Sequence, residues 1–303
     1  RFNSAMVNKN IIGSIDGSLT ASDSLMDRGL AYGHGLFETM RLYRGQLPLK
    51  RWHLSRLIRD GATLGIPLNL SVVEQQLYDF QQHLTQQNID TGVIKLIASA
   101  GLGGRGYKSP ASITPRVICL YAELPDQETG QEPNIKKEQG ICLRHCDYRL
   151  PCNPVLAGIK HLNRLDQVMA RNEWSDESYA DGLMFDQNNF LIETTAANIF
   201  LHTPQQGWIT PSLNNAGVSG VMRHVLLEEI FPQLKIPVTV VEIAADQLAD
   251  CNQMFTCNSV RGIRPVIGFA QGPGHKNIVV PLTIGSHTNM VQSALADHYP
   301  CFQ

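Results

Sequence analysis

The sequence predicts a mixed α/β (α+β) fold in two domains. Segments whose apolar residues alternate are interleaved with segments whose apolar residues recur at helical period. The chain has 303 residues and 43% hydrophobic content, enough to bury one large core or two smaller ones. Between the two halves, residues 124–139 lose their apolar content and gain Pro125, Gly130, Pro133 and a charge cluster, the composition of a linker. The expected division is a small N-terminal domain over 1–123, a linker over 124–139 and a larger C-terminal domain over 140–303.

Taken in order, Asn10 to Ser14 alternates like a strand and runs into a polar turn. Leu36 to Tyr43 alternates apolar with polar, as a half-buried strand does, and Arg44-Gly45-Gln46 makes a hairpin turn. The period then changes. Trp52, Leu54, Leu57, Ile58 and Leu64 share one helical face over Arg51 to Leu64, which Gly65 and Pro67 end. A second amphipathic helix covers Val72 to Asn88. Val93 to Ala98 and Arg116 to Glu123 read as buried strands. Between them, Gly101 to Tyr107 holds four glycines in six residues, a loop whose backbone can approach a ligand closely.

The second half restarts with a strand over Gly140 to Asp147. A helix is expected over Leu162 to Trp174, then strands at Gly182–Asp186, Asn198–His202 and Trp208–Thr210. A helix begins near Gly220 and stops before Pro232. Strands at Pro237–Ile243 and Gln253–Cys257 and a helix over Ile284–Asp297 close the chain. Arg1 to Ala5 precede the first methionine, Met6, and are set aside from the fold as an expression remnant.

A net charge of −2 and a pI near 6.6 do not supply the basic field of a nucleic-acid binder. No apolar run is long enough for a membrane span, and no charged-then-apolar leader opens the chain, so neither membrane insertion nor export is expected. The cysteines are Cys119, Cys142, Cys146, Cys152, Cys251, Cys257 and Cys301, an odd set at irregular spacing, and so not a disulfide framework. Cys142, His145, Cys146 and Cys152 lie close together, but their spacing fits no paired zinc pattern. Free thiols in a cytoplasmic setting, with no metal, are expected.

Three segments could carry chemistry. Gly217 to Arg223 is a glycine loop feeding a helix, either an ordinary turn or an anion cradle built from backbone N–H groups. Lys160, in Ala157-Gly158-Ile159-Lys160, is either a lysine whose head reaches solvent or a buried Schiff-base nucleophile. Glu193, in Glu193-Thr194-Thr195-Ala196-Ala197-Asn198, is either a turn carboxylate or the partner of a protonated pyridine nitrogen.

Together, in this order, these segments resemble the fold-type IV pyridoxal-phosphate enzymes, the class IV aminotransferase superfamily. The stretch Asp27 to Thr39 looks like that family's opening signature, and His53-Leu54-Ser55-Arg56-Leu57 like its second landmark. The lysine motif, Glu193 to Asn198, and Asn258-Ser259 with Pro265 follow in register. The resemblance covers about Asn10 to Ser293. Within the superfamily, Gly103 to Tyr107 and Asn153 to Leu165 most resemble the aminodeoxychorismate lyases.

The resemblance implies a D-amino acid aminotransferase-like fold, pyridoxal 5'-phosphate as cofactor, a homodimer, and conversion of 4-amino-4-deoxychorismate to 4-aminobenzoate and pyruvate in folate biosynthesis. A class IV aminotransferase acting on D-amino or branched-chain amino acids is the alternative. By the same resemblance Lys160 bonds the cofactor and serves as base, and Glu193 faces the pyridine nitrogen. Arg56, the backbone of Val221 and Met222, and the Ser259 hydroxyl hold the phosphate. Thr39 assists proton transfer, while Arg105, Tyr107 and Asn258 contact substrate. His34 stands where relatives often have aspartate. Ala100 stands where some place an arginine, which leaves Arg105 with less local help.

Overall fold

Strand alternation and helical period resolve into three sheets. The computed structural model describes residues 13–15, 18–20, 23–103, 106–124, 140–270 and 279–303. Residues 1–12 and most of the expected linker, 125–139, lie outside the described residues.

β1 (Gly13–Ile15) and β2 (Ser18–Thr20) form a short antiparallel pair. α1 (Arg28–Tyr32) follows, capped by the Asp27 carboxylate on the Gly29 N–H and ended by Gly33 at φ +64°. β3 (Gly35–Leu42), β4 (Gly92–Ser99) and β5 (Arg116–Ala122) make an antiparallel three-stranded sheet with β4 central. After β3, Arg44 and Gly45 both take positive φ, and Tyr43 and Gln46 exchange backbone bonds across a tight turn.

α2 (Lys50–Thr63) and α3 (Leu70–Gln86) then cover one sheet face. Leu54, Leu57, Val73, Leu77 and Leu84 pack there against Leu36, Met40, Ile94 and Leu96. β5 departs from the expected fully buried strand. It is an edge strand whose inner side, Val117, Cys119 and Tyr121, packs on this core, while Ile118 and Leu120 face outward.

The larger sheet is built from β6 (Ile141–Leu150), β7 (Asp181–Asp186), β8 (Phe190–Thr194), β9 (Asn198–Thr203), β10 (Gly207–Pro211), β11 (Val238–Val241), β12 (Ile243–Ala244), β13 (Gln253–Asn258), β14 (Gly262–Ala270) and β15 (Val279–Pro281). Its order is β11-β10-β9-β13-β14-β6-β7-β8-β12, with β15 on β14. The expected single strand over 237–243 is therefore two. β11 and β12 lie at opposite ends of the path with only Glu242 between them, so the sheet curls until its edges nearly meet. Its concave side holds Leu143, Leu183, Phe185, Leu191, Ile199, Leu201, Ile209, Met254 and Val266. Alternate residues point the other way: Phe200, Trp208 and Phe255 pack beneath the helical run that starts at Val221 and beneath α7 (Ser286–His298).

Two further expectations are corrected, and one long strand was not foreseen. The helix expected over Leu162–Trp174 is α4 (Leu165–Arg171), because the chain before it is tied to β3 instead. Leu36 and His161 form a β-bridge, and Leu162 donates to the Gly35 carbonyl. The helix from Gly220 does not stop before Pro232. α5 (Val221–Val225) passes through a π-turn over Leu226–Ile230 into α6 (Phe231–Gln233), and the changed hydrogen-bond phase seats Pro232 at the start of a new turn, where a missing N–H costs little. β14, a long central strand, escapes notice in the sequence because Pro265 interrupts it. Its parallel register with β6 begins only at Val266, one residue past that proline.

Candidate active site

The centre of the site is where the small sheet, α2 and the loop before α5 meet Lys160. Two bonds fix that segment on the glycine loop: Gly158 donates to the Gly217 carbonyl, and Ser219 donates to the Gly158 carbonyl, both at 2.9 Å. Gly158 takes φ +80°, and a Cβ there would press on Ser219. Lys160 itself accepts the Phe37 N–H at its carbonyl, 3.1 Å away, and its backbone N–H faces the Asp60 carboxyl. Its ammonium lies 4.3 Å from the centroid of the Phe37 ring, and no hydrogen bond holds Nζ among the described residues. Burial first, and then the positive charges of Arg56 and Arg164, bring the amine down to about 8 against the pull of Glu38 and Glu193.

Glu193 on β8 is buried. One oxygen, Oε2, accepts the Val218 N–H at 2.9 Å and lies 3.5 Å from Asn198 Nδ2. Oε1 has no hydrogen-bond partner among the described residues. Burial raises its pKa to about 7, although the Val218 N–H, Arg164 and Lys160 all favour the charged form. Asn198 earns its place by donating to the Val218 carbonyl at 2.9 Å, and Gly220 is obligatory because a Cβ would collide with the Asn198 Oδ1.

Val221 and Met222 open α5 behind Gly220. Their side chains are buried in the core, so only their backbone N–H groups, the first of the helix, are offered outward. Arg56 reaches the same loop, where Nη1 donates to the Ser219 carbonyl at 2.9 Å. Its Nε donates to Glu38 Oε1 at 2.9 Å, and Nη2 to Glu38 Oε2. His53 Nδ1 adds a 2.6 Å bond to Glu38 Oε2, while its buried Nε2 has no hydrogen-bond partner among the described residues.

Glu38, His53 and Asp60 were not singled out by the sequence reading. The signal was present. Strand alternation puts Glu38 on the face of Leu36 and Met40, and His53, Arg56 and Asp60 fall on the buried side of α2 at helical spacing. Buried charges at such positions require one another.

The remaining predicted residues are placed differently. Thr39 lies beside Ser259, but through its backbone: the Ser259 hydroxyl donates to the Thr39 carbonyl at 2.8 Å. Asn258 is occupied in the β13–β14 turn, where Oδ1 accepts the Val260 and Arg261 N–H groups and Nδ2 donates to the Ala196 carbonyl. Tyr107 is 87% exposed, its ring 5.5 Å from that of Tyr32. Arg105 lies outside the described residues.

The described part of that loop is held by Arg28, also missed. Buried to 3% exposure, it donates to the carbonyls of Gly106 at 3.2 Å and Tyr107 at 2.8 Å. Its Nε donates to His34 Nδ1 at 3.2 Å, so His34 carries its proton on Nε2, which meets the Leu64 carbonyl at 2.9 Å. His34 thus serves the turn as an acceptor, as an aspartate could. Ala100 is fully buried and donates to the His34 carbonyl at 3.0 Å.

The chain matches the class IV amino-transferase family over residues 35–268. It is 33% identical to an aminodeoxychorismate lyase from Vibrio harveyi over 89% of this chain and 94% of that one. The crystal structure of 4-amino-4-deoxychorismate lyase from Pseudomonas aeruginosa superposes with a TM-score of 0.79 at 38% identity, covering 93% of this chain and 97% of the other. A hypothetical aminotransferase from Mycobacterium tuberculosis, solved in a form bound to pyridoxal phosphate, shares the fold at 17% identity and a TM-score of 0.71 over 90% and 92% of the chains.

The residues present fit that cofactor. A half-buried amine with no hydrogen bond among the described residues, a buried carboxylate with one open oxygen, and a helix start beside an arginine match its aldehyde, its pyridine nitrogen and its phosphate. With its match running through the sheet, the lysine segment and the glycine loop, the chain belongs to the class IV aminotransferase family.

Proposed function

We propose that this protein is a pyridoxal-phosphate-dependent lyase that converts 4-amino-4-deoxychorismate to 4-aminobenzoate and pyruvate, a step of folate biosynthesis. The observation that carries the lyase reading is the 38% identity to the Pseudomonas aeruginosa lyase over nearly the full length of both chains. The geometry supplies the chemistry. When bound, the cofactor withdraws electrons from the carbon that loses its proton.

Lys160 would bond the cofactor, and its free Nζ would take the proton from the ring carbon that bears the amine; the bond from the neighbouring ring carbon to the enolpyruvyl oxygen breaks, the ring becomes aromatic, and the proton passes from Nζ to the departing enolpyruvate, which becomes pyruvate. Its amine is suited to this because burial and Arg56 weaken its hold on a proton. Glu193, with Oε2 taken by the Val218 N–H, would offer Oε1 to the pyridine nitrogen and favour its protonated form. The Val221 and Met222 N–H groups and Arg56 bind the phosphate, with Ser259 beside them. The Thr39 side chain, on the face of β3 that carries Phe37, assists proton transfer, and Arg105 and Tyr107 take the substrate carboxylates. Asn258, whose amide also holds the β13–β14 turn, contacts substrate through its remaining Nδ2 hydrogen.

The protein works as two domains, 1–123 and 140–303, joined by 124–139; separate sheets on either side of that stretch support the division. It acts in the cytoplasm as a homodimer. Seven free cysteines favour a reducing compartment, and exposed Val155, Leu165, Val168 and Met169 flank the lysine segment as a dimer surface would. No described helix is long and apolar enough to cross a membrane.

Purified protein with the cofactor is expected to release 4-aminobenzoate and pyruvate from aminodeoxychorismate. Failure to do so, with turnover of D-alanine or a branched-chain amino acid plus 2-oxoglutarate, would instead make it an aminotransferase.

A further inference from the structure

Glu38 is buried to 1% exposure, yet it belongs to no group assigned above to cofactor or substrate. Its two oxygens take three donors: Arg56 Nε, Arg56 Nη2 and His53 Nδ1. The bond pattern is the side-on fork in which one edge of a guanidinium lies along a carboxylate. Arg56 has five N–H groups. Two go to Glu38 and one to the Ser219 carbonyl, which leaves two, one on each terminal nitrogen. The residue is gripped along one edge and by the loop that leads into α5, so those two hydrogens have a fixed direction.

We infer that Glu38, buttressed by His53, is the positioning residue of the cofactor phosphate. It holds the Arg56 guanidinium so that its two uncommitted N–H groups meet the anion together with the start of α5. The inference rests on the reading that Arg56 binds phosphate. It adds that Arg56 does so only in the orientation Glu38 imposes. A free arginine would keep full charge but would have to be ordered each time the cofactor bound. The held arginine gives up part of its charge to Glu38 and is ordered in advance. His53 completes the arrangement. Its Nδ1–H occupies the Glu38 oxygen, and the unpartnered Nε2 makes no competing claim on Arg56.

The readout that separates positioning from folding is the phosphate itself. Cofactor-free protein is titrated with pyridoxal phosphate and, separately, with pyridoxal, which lacks the phosphate, following the visible absorbance of bound ligand. Wild type is expected to prefer the phosphorylated form strongly. Glu38→Gln removes the carboxylate and places amide hydrogens against those of Arg56. It is expected to weaken pyridoxal phosphate by about tenfold or more while pyridoxal stays within about twofold.

Glu38→Asp, which keeps the charge but withdraws it by one methylene, is expected to show a smaller loss of the same selective kind. It serves should the glutamine variant not fold. In an Arg56→Met background, Glu38→Gln is expected to change the preference no further. Equal weakening of both ligands would mean that Glu38 merely supports the fold and would overturn the inference. So would loss of preference in Arg56→Met but not in either Glu38 variant. If Arg56→Met itself keeps the wild-type preference, the phosphate reading of Arg56 fails instead.

Discussion

Glu38 and Glu193 are buried alike and behave in opposite ways. Glu38, in the small sheet, is surrounded by donors from α2. Burial alone would raise its pKa, but Arg56 and His53 overcome that and hold it down to about 2. Glu193, in the curled sheet, has a backbone N–H on one oxygen and no partner for the other among the described residues, and burial raises it to about 7. The protein completes one carboxylate itself and leaves the other open for a cation it does not contain. Lys160 stands in the field of both, which each hold its proton, while Arg56 and burial release it. A site that binds a charged cofactor needs both kinds: a finished ion pair to aim its cation, and an unfinished one to receive the ligand's.

The largest effect expected falls on the residue between them. Lys160→Ala removes both the cofactor bond and the base and is expected to lower turnover by at least about 1000-fold in a 4-aminobenzoate assay. Glu193→Ala is next. It is expected to leave a folded, weakly active protein, down about 100-fold in kcat, because the pyridine nitrogen loses its partner. Full activity in that variant would remove the reason for calling Glu193 unfinished.

The two carboxylates also give opposite pH signatures. Glu193 keeps its proton to about 7 in the fold but loses it near 4.5 when unfolded. The folded state binds more protons in that window, so cofactor-free protein should lose up to a few kcal/mol of stability as pH rises through it. Glu38, at about 2 folded and 4.5 unfolded, stabilises the protein above 4.5 and loses that contribution as pH falls toward 2. Melting temperatures of wild type and Glu193→Gln, compared between about pH 4.5 and 7.5, check the first slope: the variant's curve should be the flatter. Saturating cofactor should reduce the difference by supplying the missing cation.

Outside the pair the effects shrink. Arg28→Lys keeps the charge but not the fork onto the Gly106 and Tyr107 carbonyls. It is expected to raise KM about tenfold with kcat nearly constant, since the loop positions substrate rather than reacting. Ser259→Ala loses a hydroxyl bond to the Thr39 carbonyl, worth about 1 kcal/mol of stability. A larger loss of cofactor affinity in that variant would show the hydroxyl turning to the phosphate.

The sequence made the open half of the site more legible than the closed half. Lys160, Glu193 and the Gly217–Gly220 loop sit in short motifs whose residue types announce a ligand. Glu38, His53 and Arg28 act on other protein groups, and their partners are 15, 18 and 78 residues away. Their importance arises only when the fold brings those groups together, although the placement of Glu38 on an apolar strand face was visible beforehand. The same division holds for the fold. From Gly35 to Ala122, the amphipathic helices and the strands were readable within a residue or two, while the strand expected over Asn10–Ser14 lies mostly outside the described residues. β14 and the split between β11 and β12 depend on neighbours across a curled sheet, which Pro265 and Glu242 do not reveal locally. Asn258 is a motif residue whose side chain also holds its turn, a task its motif does not announce.

The most direct test of Lys160 as the residue between these carboxylates is borohydride reduction of the cofactor-loaded protein, followed by peptide mass mapping. Reduction fixes the cofactor to whichever amine bears it. A single pyridoxyl-phosphate adduct on the peptide containing Lys160, absent from Lys160→Ala, is the expected result. An adduct on another lysine, or none at all in protein that turns over aminodeoxychorismate, would contradict the assignment of this site.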